Sequence, residues 1–384
     1  MNQTSQWEPA IRRVGNDNGK ERLKKGKTLM RQKHYDEALL EFSAILENNP
    51  DSFDALLGIG SVYMKQNQIQ EALSYFAQAR ALDPLQPKPY LLEGLTLARQ
   101  AQFDAAEQAL RTALSLSPGL SRALAALGEV LVGKQRYEEA LMPLREALRH
   151  NPQQTAPRWL MARIYAERGD LDKAIAELQT VLEIDPEHAR AGGQLARWHM
   201  QRGDRAAAVN VLQQTLEHVP KEDSTRYQQL GRLALELECY ALAETVFQEI
   251  VKRHPRRMTA QLDLAETLIR SAHLDRAEAL LKKLSLKNRD AAVWVHKLLG
   301  DLYFQRQQFR LAAEQYRAAV LGLPEASSEL RALGEAVDQA HLSDWQPQAA
   351  AFQPLLDNVM AMQRVRLREE RAQRRLARQE EDLE

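Results

Sequence analysis

Arg163, Arg197 and Arg232 recur at intervals of 34 and 35 residues in this chain of 384. A guanidinium presents a planar fork of N–H donors that matches a carboxylate in two parallel bonds. A fork repeated at one interval would read an extended anionic ligand, provided a repeating element holds the three side chains in line. Arg190 stands near the second, and Trp159 lies four residues before the first, where an aromatic ring can serve as an anchor. Other chemistry is sparse. The nine histidines show no HExxH or other metal-ligand spacing, and no GxSxG element or phosphate-cradling glycine loop occurs. The single cysteine, Cys239, allows neither an internal disulfide nor a cysteine-based metal cluster. The expectation is a protein without catalytic residues, cofactor or metal, and not an enzyme.

The elements that would align the arginines are marked by prolines. Pro50, Pro84, Pro118, Pro152, Pro186 and Pro220 stand 34 residues apart, Pro255 follows after 35, and Pro324 after a further 69. A prolyl ring fixes φ and lacks an N–H, so it stops a helix. A stop at constant interval means one supersecondary unit built repeatedly. With the proline as position 32, position 8 is Gly26, Gly60, Gly94, Gly128, Ala162, Ala196, Gly231, Ala265 and Gly300. Position 20 is alanine in all nine repeats, from Ala38 to Ala312. Position 24 is large: Phe42, Phe76, Leu110, Leu144, Leu178, Leu212, Phe247, Leu281 and Tyr316. Apolar residues at i, i+3, i+4 and i+7 predict helices. Short turns at Gln32-Lys33-His34 and Gly169-Asp170 predict antiparallel hairpins. The small residues at 8 and 20 then mark where helix A crosses helix B.

This pattern resembles the tetratricopeptide repeat (TPR) family, whose motif has a small residue at 8, an aromatic at 11, alanine at 20, an aromatic or leucine at 24 and proline at 32. The resemblance covers roughly residues 19–326. It implies an all-α fold, a right-handed α-solenoid of about nine helical hairpins, with C-terminal helices capping the open end. Repeat 8 departs from the motif with Arg289 in the proline slot, and single-residue insertions fall near Lys221–Tyr227 and Leu286–Val295.

The resemblance also implies that the A helices line a concave groove through positions 2, 5, 9 and 12, and that the groove holds peptides or partner helices. In the first repeats this set is apolar, with Leu57, Leu91 and Leu95 among its members. Position 9 is Arg163, Arg197 and Arg232 in repeats 5 to 7, with Arg190 at position 2 of repeat 6 and Trp159 at position 5 of repeat 5. In repeats 8 and 9 position 9 turns acidic, as Glu266 and Asp301. The expected partner is an acidic segment flanked by apolar residues.

The flanks differ from the repeats. Residues 1–18 are polar and expected to be disordered unless Trp7 and Ile11 dock. Residues 327–342 read as a capping helix. Residues 343–384 read as a long C-terminal helix, with an apolar stripe through Phe352, Leu355, Leu356, Val359, Met360 and Met362 and an end where arginines alternate with carboxylates. That end reads as a solvated helix laced by i,i+4 pairs. With 52 basic and 52 acidic residues there is no overall pull toward nucleic acid. No apolar run has the length of a signal peptide or membrane span, so the expected location is the cytoplasm. The reading is a non-enzymatic scaffold or adaptor with a protein partner. The alternatives are an RNA-binding helical-repeat protein and a scaffold that self-assembles as a homo-oligomer through its C-terminal helix.

Overall fold

The structure is a computed structural model that describes residues 8–285, 292–322, 346–347 and 349–357. Every regular element among them is a helix. The chain forms two compact bodies, Met1–Pro186 and Glu187–Glu384.

The first body holds repeats 1 to 5 as the hairpins α1(Glu8–Gln32)/α2(Tyr35–Asn48), α3(Phe53–Lys65)/α4(Ile69–Leu82), α5(Pro87–Arg99)/α6(Phe103–Leu116), α7(Ser121–Gly133)/α8(Tyr137–His150) and α9(Thr155–Glu167)/α10(Leu171–Ile184). The second holds repeats 6 to 9 as α11(Ala189–Gln201)/α12(Arg205–His218), α13(Ser224–Glu236)/α14(Tyr240–Arg253), α15(Met258–Arg270)/α16(Leu274–Ser285) and α17(Ala292–Gln305)/α18(Phe309–Leu321). A further helix, α19, spans 349–357. In both bodies each A helix packs on its own B helix, and A helices of successive repeats also touch, as α3 does α5 and α15 does α17. The fold is an all-α solenoid.

The hairpins close where small residues permit. All nine alanines at position 20 are fully buried, and so is every side chain at position 24. A Cβ added to Gly60 would lie 2.6 Å from the Phe76 ring, and one added to Gly300 would lie 2.3 Å from the Tyr316 ring. Position 8 is therefore small because the position 24 side chain lies against its backbone. The Gln32-Lys33-His34 turn is one of nine equivalents. Position 15 has positive φ in every repeat, from Lys33 (66°) to Gln307 (60°), and only Gly169 and Gly203 are glycines there. The position 16 amide returns to the position 11 carbonyl each time, as in Gln68 to Tyr63 at 2.9 Å. This is the Schellman closure of a helix C-terminus.

One boundary differs from expectation. Helix α1 starts at Glu8 rather than near residue 19, so the polar leader is helical in backbone from there. Pro9 falls in its first turn, where the missing N–H removes no helical bond. The B helices α2, α6 and α8 end on a cap residue near φ −145°, whereas α12 ends on Val219 at φ −65°. That altered exit sits just before the inserted residue of Lys221–Tyr227. Arg289 and most of the second insertion lie outside the described residues, as do Trp7, the 327–342 helix, Val359, Met360, Met362 and the Arg/Glu end.

Carboxylates at position 21 tie neighbouring repeats together. Glu107 of α6 is met by Lys134 Nζ at 2.7 Å and Arg136 Nη1 at 2.9 Å from the next repeat. Glu278 of α16 is met by Arg306 Nη1 from the next repeat and by Lys282 Nζ at 2.6 Å from its own helix. Hydrogen bonds from Lys282, then from Arg306 and Tyr303, outweigh burial and draw the Glu278 carboxyl down to about 2.

Candidate partner-binding site

The residues expected to line the groove do not form one strip. Leu57 and Leu91, at position 5 of α3 and α5, are 2 % and 5 % exposed. Both side chains are enclosed, Leu57 in a cluster with Ala72 and Phe76 of α4, so this slot is core and not groove wall here; the expectation for these two is corrected. Leu95 is half-buried against the cluster around Leu57 and Phe76. In the same body Arg163 is exposed on α9, one turn from the half-buried Trp159.

In the second body the arginines are engaged. Arg190 and Arg197 are exposed on α11, and Arg197 Nη2 meets Glu236 Oε2 of α13 at 3.3 Å. Arg232 of α13 places Nε 2.8 Å from Asp263 Oδ2 of α15. Gln228 donates to the same oxygen. Asp263 is almost fully buried, and burial raises its pKa against the pull of Arg232. The position 9 arginines of repeats 6 and 7 thus each pair with a carboxylate of the next A helix, Arg197 at the exposed surface and Arg232 against a buried one. A buried carboxylate left without Arg232 would be costly, so the Nε bond to Asp263 belongs to the folded chain, while the Arg232 side chain stays one-third exposed.

A cleft does open farther along the second body. It has a volume of about 930 Å³. One wall is α15, through Leu262, Glu266 and Ile269, at positions 5, 9 and 12. The floor is α17, through Trp294, Lys297, Asp301 and Phe304, at positions 2, 5, 9 and 12. The opposite wall is Gln346 with Gln353 and Asp357 of α19. The inward register read from the sequence is the one that lines this cleft; the repeats that use it are 8 and 9. The expected acidic slot, Glu266 and Asp301, is here.

The charges in the cleft are arranged around Lys297. Its Nζ lies 2.7 Å from Asp301 Oδ2 and 2.6 Å from Asp357 Oδ1. Burial works against the ammonium, yet the two carboxylates overcome it and hold its pKa above the ordinary lysine value. Tyr316 donates to Asp301 Oδ1 at 2.8 Å, and burial of that phenol raises its pKa strongly. Trp294 and Phe304 supply aromatic surface on either side. Such a site offers apolar anchorage and a charged handle, the features of a binding cleft. Among the described residues no group of three His, Cys, Asp or Glu side chains is placed to hold a metal.

Family models match most of the repeats. The model of the Cilia and flagella-associated protein 70 C-terminal domain matches residues 8–198, and a tetratricopeptide repeat model matches 165–233 and 234–302. The chain belongs to the tetratricopeptide repeat family. Similar solved TPR structures include TTC0263 of Thermus thermophilus, 23 % identical, covering 47 % of this chain and 99 % of that one at a TM-score of 0.42. PilF of Pseudomonas aeruginosa is 21 % identical, with 56 % and 97 % covered and a TM-score of 0.48. YrrB, described as a TPR protein with an unusual peptide-binding site, is 23 % identical, with 51 % and 97 % covered and a TM-score of 0.39. A comparison with curated proteins returns no match. As in TPR proteins generally, the fold is that of a protein-binding scaffold. Among the described residues no helix is long and apolar enough to cross a membrane.

The α19 wall of this TPR cleft was missed by sequence reasoning. Its signal was the stripe of Phe352, Leu355 and Leu356 on the C-terminal helix, offered as a surface for self-assembly; in the structure Ala349, Phe352 and Leu356 are fully buried on the last repeat.

Proposed function

We propose that this TPR chain is a non-enzymatic scaffold or adaptor that holds a protein segment against the A-helix faces of its second body, in the cleft between α15, α17 and α19. The observation that carries this reading is the lining of the cleft. The inward positions of repeats 8 and 9 meet there with Trp294 and Phe304 as anchors and Lys297 as a charged contact. Aromatic side chains in a desolvated setting supply most of the binding free energy at protein interfaces, and charges mainly set specificity. An acidic segment flanked by apolar residues would meet Lys297 by taking the place of Asp357, which together with Asp301 pairs with that ammonium.

A photocrosslinking residue in place of Phe304 should attach to the partner in cells of the native organism. The same residue in place of Leu85, which is exposed on the first body, should not. Trp294→Ala should abolish the crosslink while leaving helical content unchanged. Equal crosslinking at 304 and 85, or a crosslink indifferent to Trp294→Ala, overturns the assignment.

A further inference from the structure

Helix α19 packs on both helices of the repeat before it, as α13, α15 and α17 do, although it stands outside the repeat register. Phe352 lies 5.9 Å from the Tyr316 ring, centroid to centroid, and with Ala349 and Leu356 it covers Ala312, Ala313 and Val320 of α18. The buried side chains fall at i, i+3 and i+7, a single helix face. The carboxylate that follows, Asp357, reaches Lys297 at 2.6 Å, yet its side chain remains 60 % exposed. Pro354 stands within α19, where it cannot donate a backbone bond.

We propose that α19 is a tethered stand-in for a partner helix. The face of α17 and α18 recognises a small, an aromatic and an aliphatic residue at i, i+3 and i+7 followed by a carboxylate, and a protein presenting that pattern displaces α19. The inference rests on the scaffold reading and names the partner's chemistry: an amphipathic helix with an acidic residue placed to meet Lys297. Displacement also removes the wall formed by Gln353 and Asp357, so the cleft opens as the partner arrives.

The test uses the full chain and a fluorescent synthetic peptide of residues 346–357. Wild type should bind it weakly, because the tethered copy competes. Phe352→Ala/Leu356→Ala should bind at least tenfold more tightly, and Lys297→Met added to that variant should remove the gain. Asp357→Ala, which keeps the apolar contacts, should bind the peptide several-fold more tightly than wild type even if the double variant folds poorly. Affinities equal to wild type in both backgrounds, or a gain that survives Lys297→Met, overturn the proposal. A crosslink at position 304 that persists while the peptide fails to bind any variant would sink this inference alone and leave the scaffold reading standing.

Discussion

Position 5 of the repeat carries Leu57 and Leu91 near the start of the chain and Lys297 near its end. Both leucines are buried. Lys297 is nearly as enclosed, with 16 % of its side chain exposed, but its enclosure comes from two carboxylates and the closing helix α19. One slot of one architecture thus serves as core in the first body and as the charged centre of a cleft in the second. Helix phase sets the direction of a side chain; the depth at that point is set by what lies opposite.

Exchanging the two characters should break each region differently. Leu57→Lys would bury an ammonium with no carboxylate partner, at a cost on the order of 5 kcal/mol. Leu57→Ala should cost about 3 kcal/mol, from lost transfer energy and an imperfectly closed cavity. Denaturant midpoints would check both. A Leu57→Lys protein as stable as wild type would show that position 5 is groove surface there after all.

The opposite exchange is milder and has a rescue. Lys297→Met leaves Asp301 enclosed with Tyr316 as its one remaining donor among the described residues, which should cost about 3 kcal/mol. Lys297→Met combined with Asp301→Asn removes the stranded charge and should recover most of that loss. If the double variant is no better than the single one, the cost lies in lost packing by the lysine stem and not in the charge.

These residues also show how far the sequence could be read. The prolines, the nine alanines and the position 24 side chains specified the hairpins, because close approach of two backbones tolerates only small residues at fixed positions. The inward register came from the family resemblance; positions 5, 9 and 12 of repeat 8 and 2, 5, 9 and 12 of repeat 9 are among the residues that line the cleft. What was not legible was depth and pairing. Leu57 and Lys297 share a phase, and only the structure shows that Arg232 is held by Asp263, thirty-one residues away. The stripe on α19 was visible, but its seat on Tyr316 required knowing that the chain returns.

The two position 21 carboxylates extend the comparison. Glu107 and Glu278 each face basic side chains from the next repeat, and both have lowered pKa values. A carboxyl held low in the folded state stabilises at pH above its unfolded value and loses that contribution as pH falls through its folded value. For Glu278 the window runs from about 4.5 down to about 2. Wild type should therefore have a higher melting temperature than Glu278→Gln at pH 6, and the gap should close steadily as pH falls toward 2. A gap independent of pH would assign the effect of Glu278 to packing.

The smallest expected effect lies within the first body, between two turns of the same shape. Position 15 is left-handed in both repeat 3, at Ala101 (φ 56°), and repeat 5, at Gly169 (φ 79°). A side chain with a Cβ is strained there by about 1 kcal/mol, because the Cβ crowds the following carbonyl. Glycine relieves that strain but loses more freedom on folding, which offsets part of the gain. Ala101→Gly should therefore stabilise by ~0.5 kcal/mol, and Gly169→Ala should destabilise by a similar or slightly larger amount. A Cβ at 169 would meet nothing within 4 Å, so its cost would be purely conformational. If both substitutions shift the midpoint in the same direction, local backbone strain does not set the energetics of this turn, and the Schellman closure of each A helix is held by its neighbours instead.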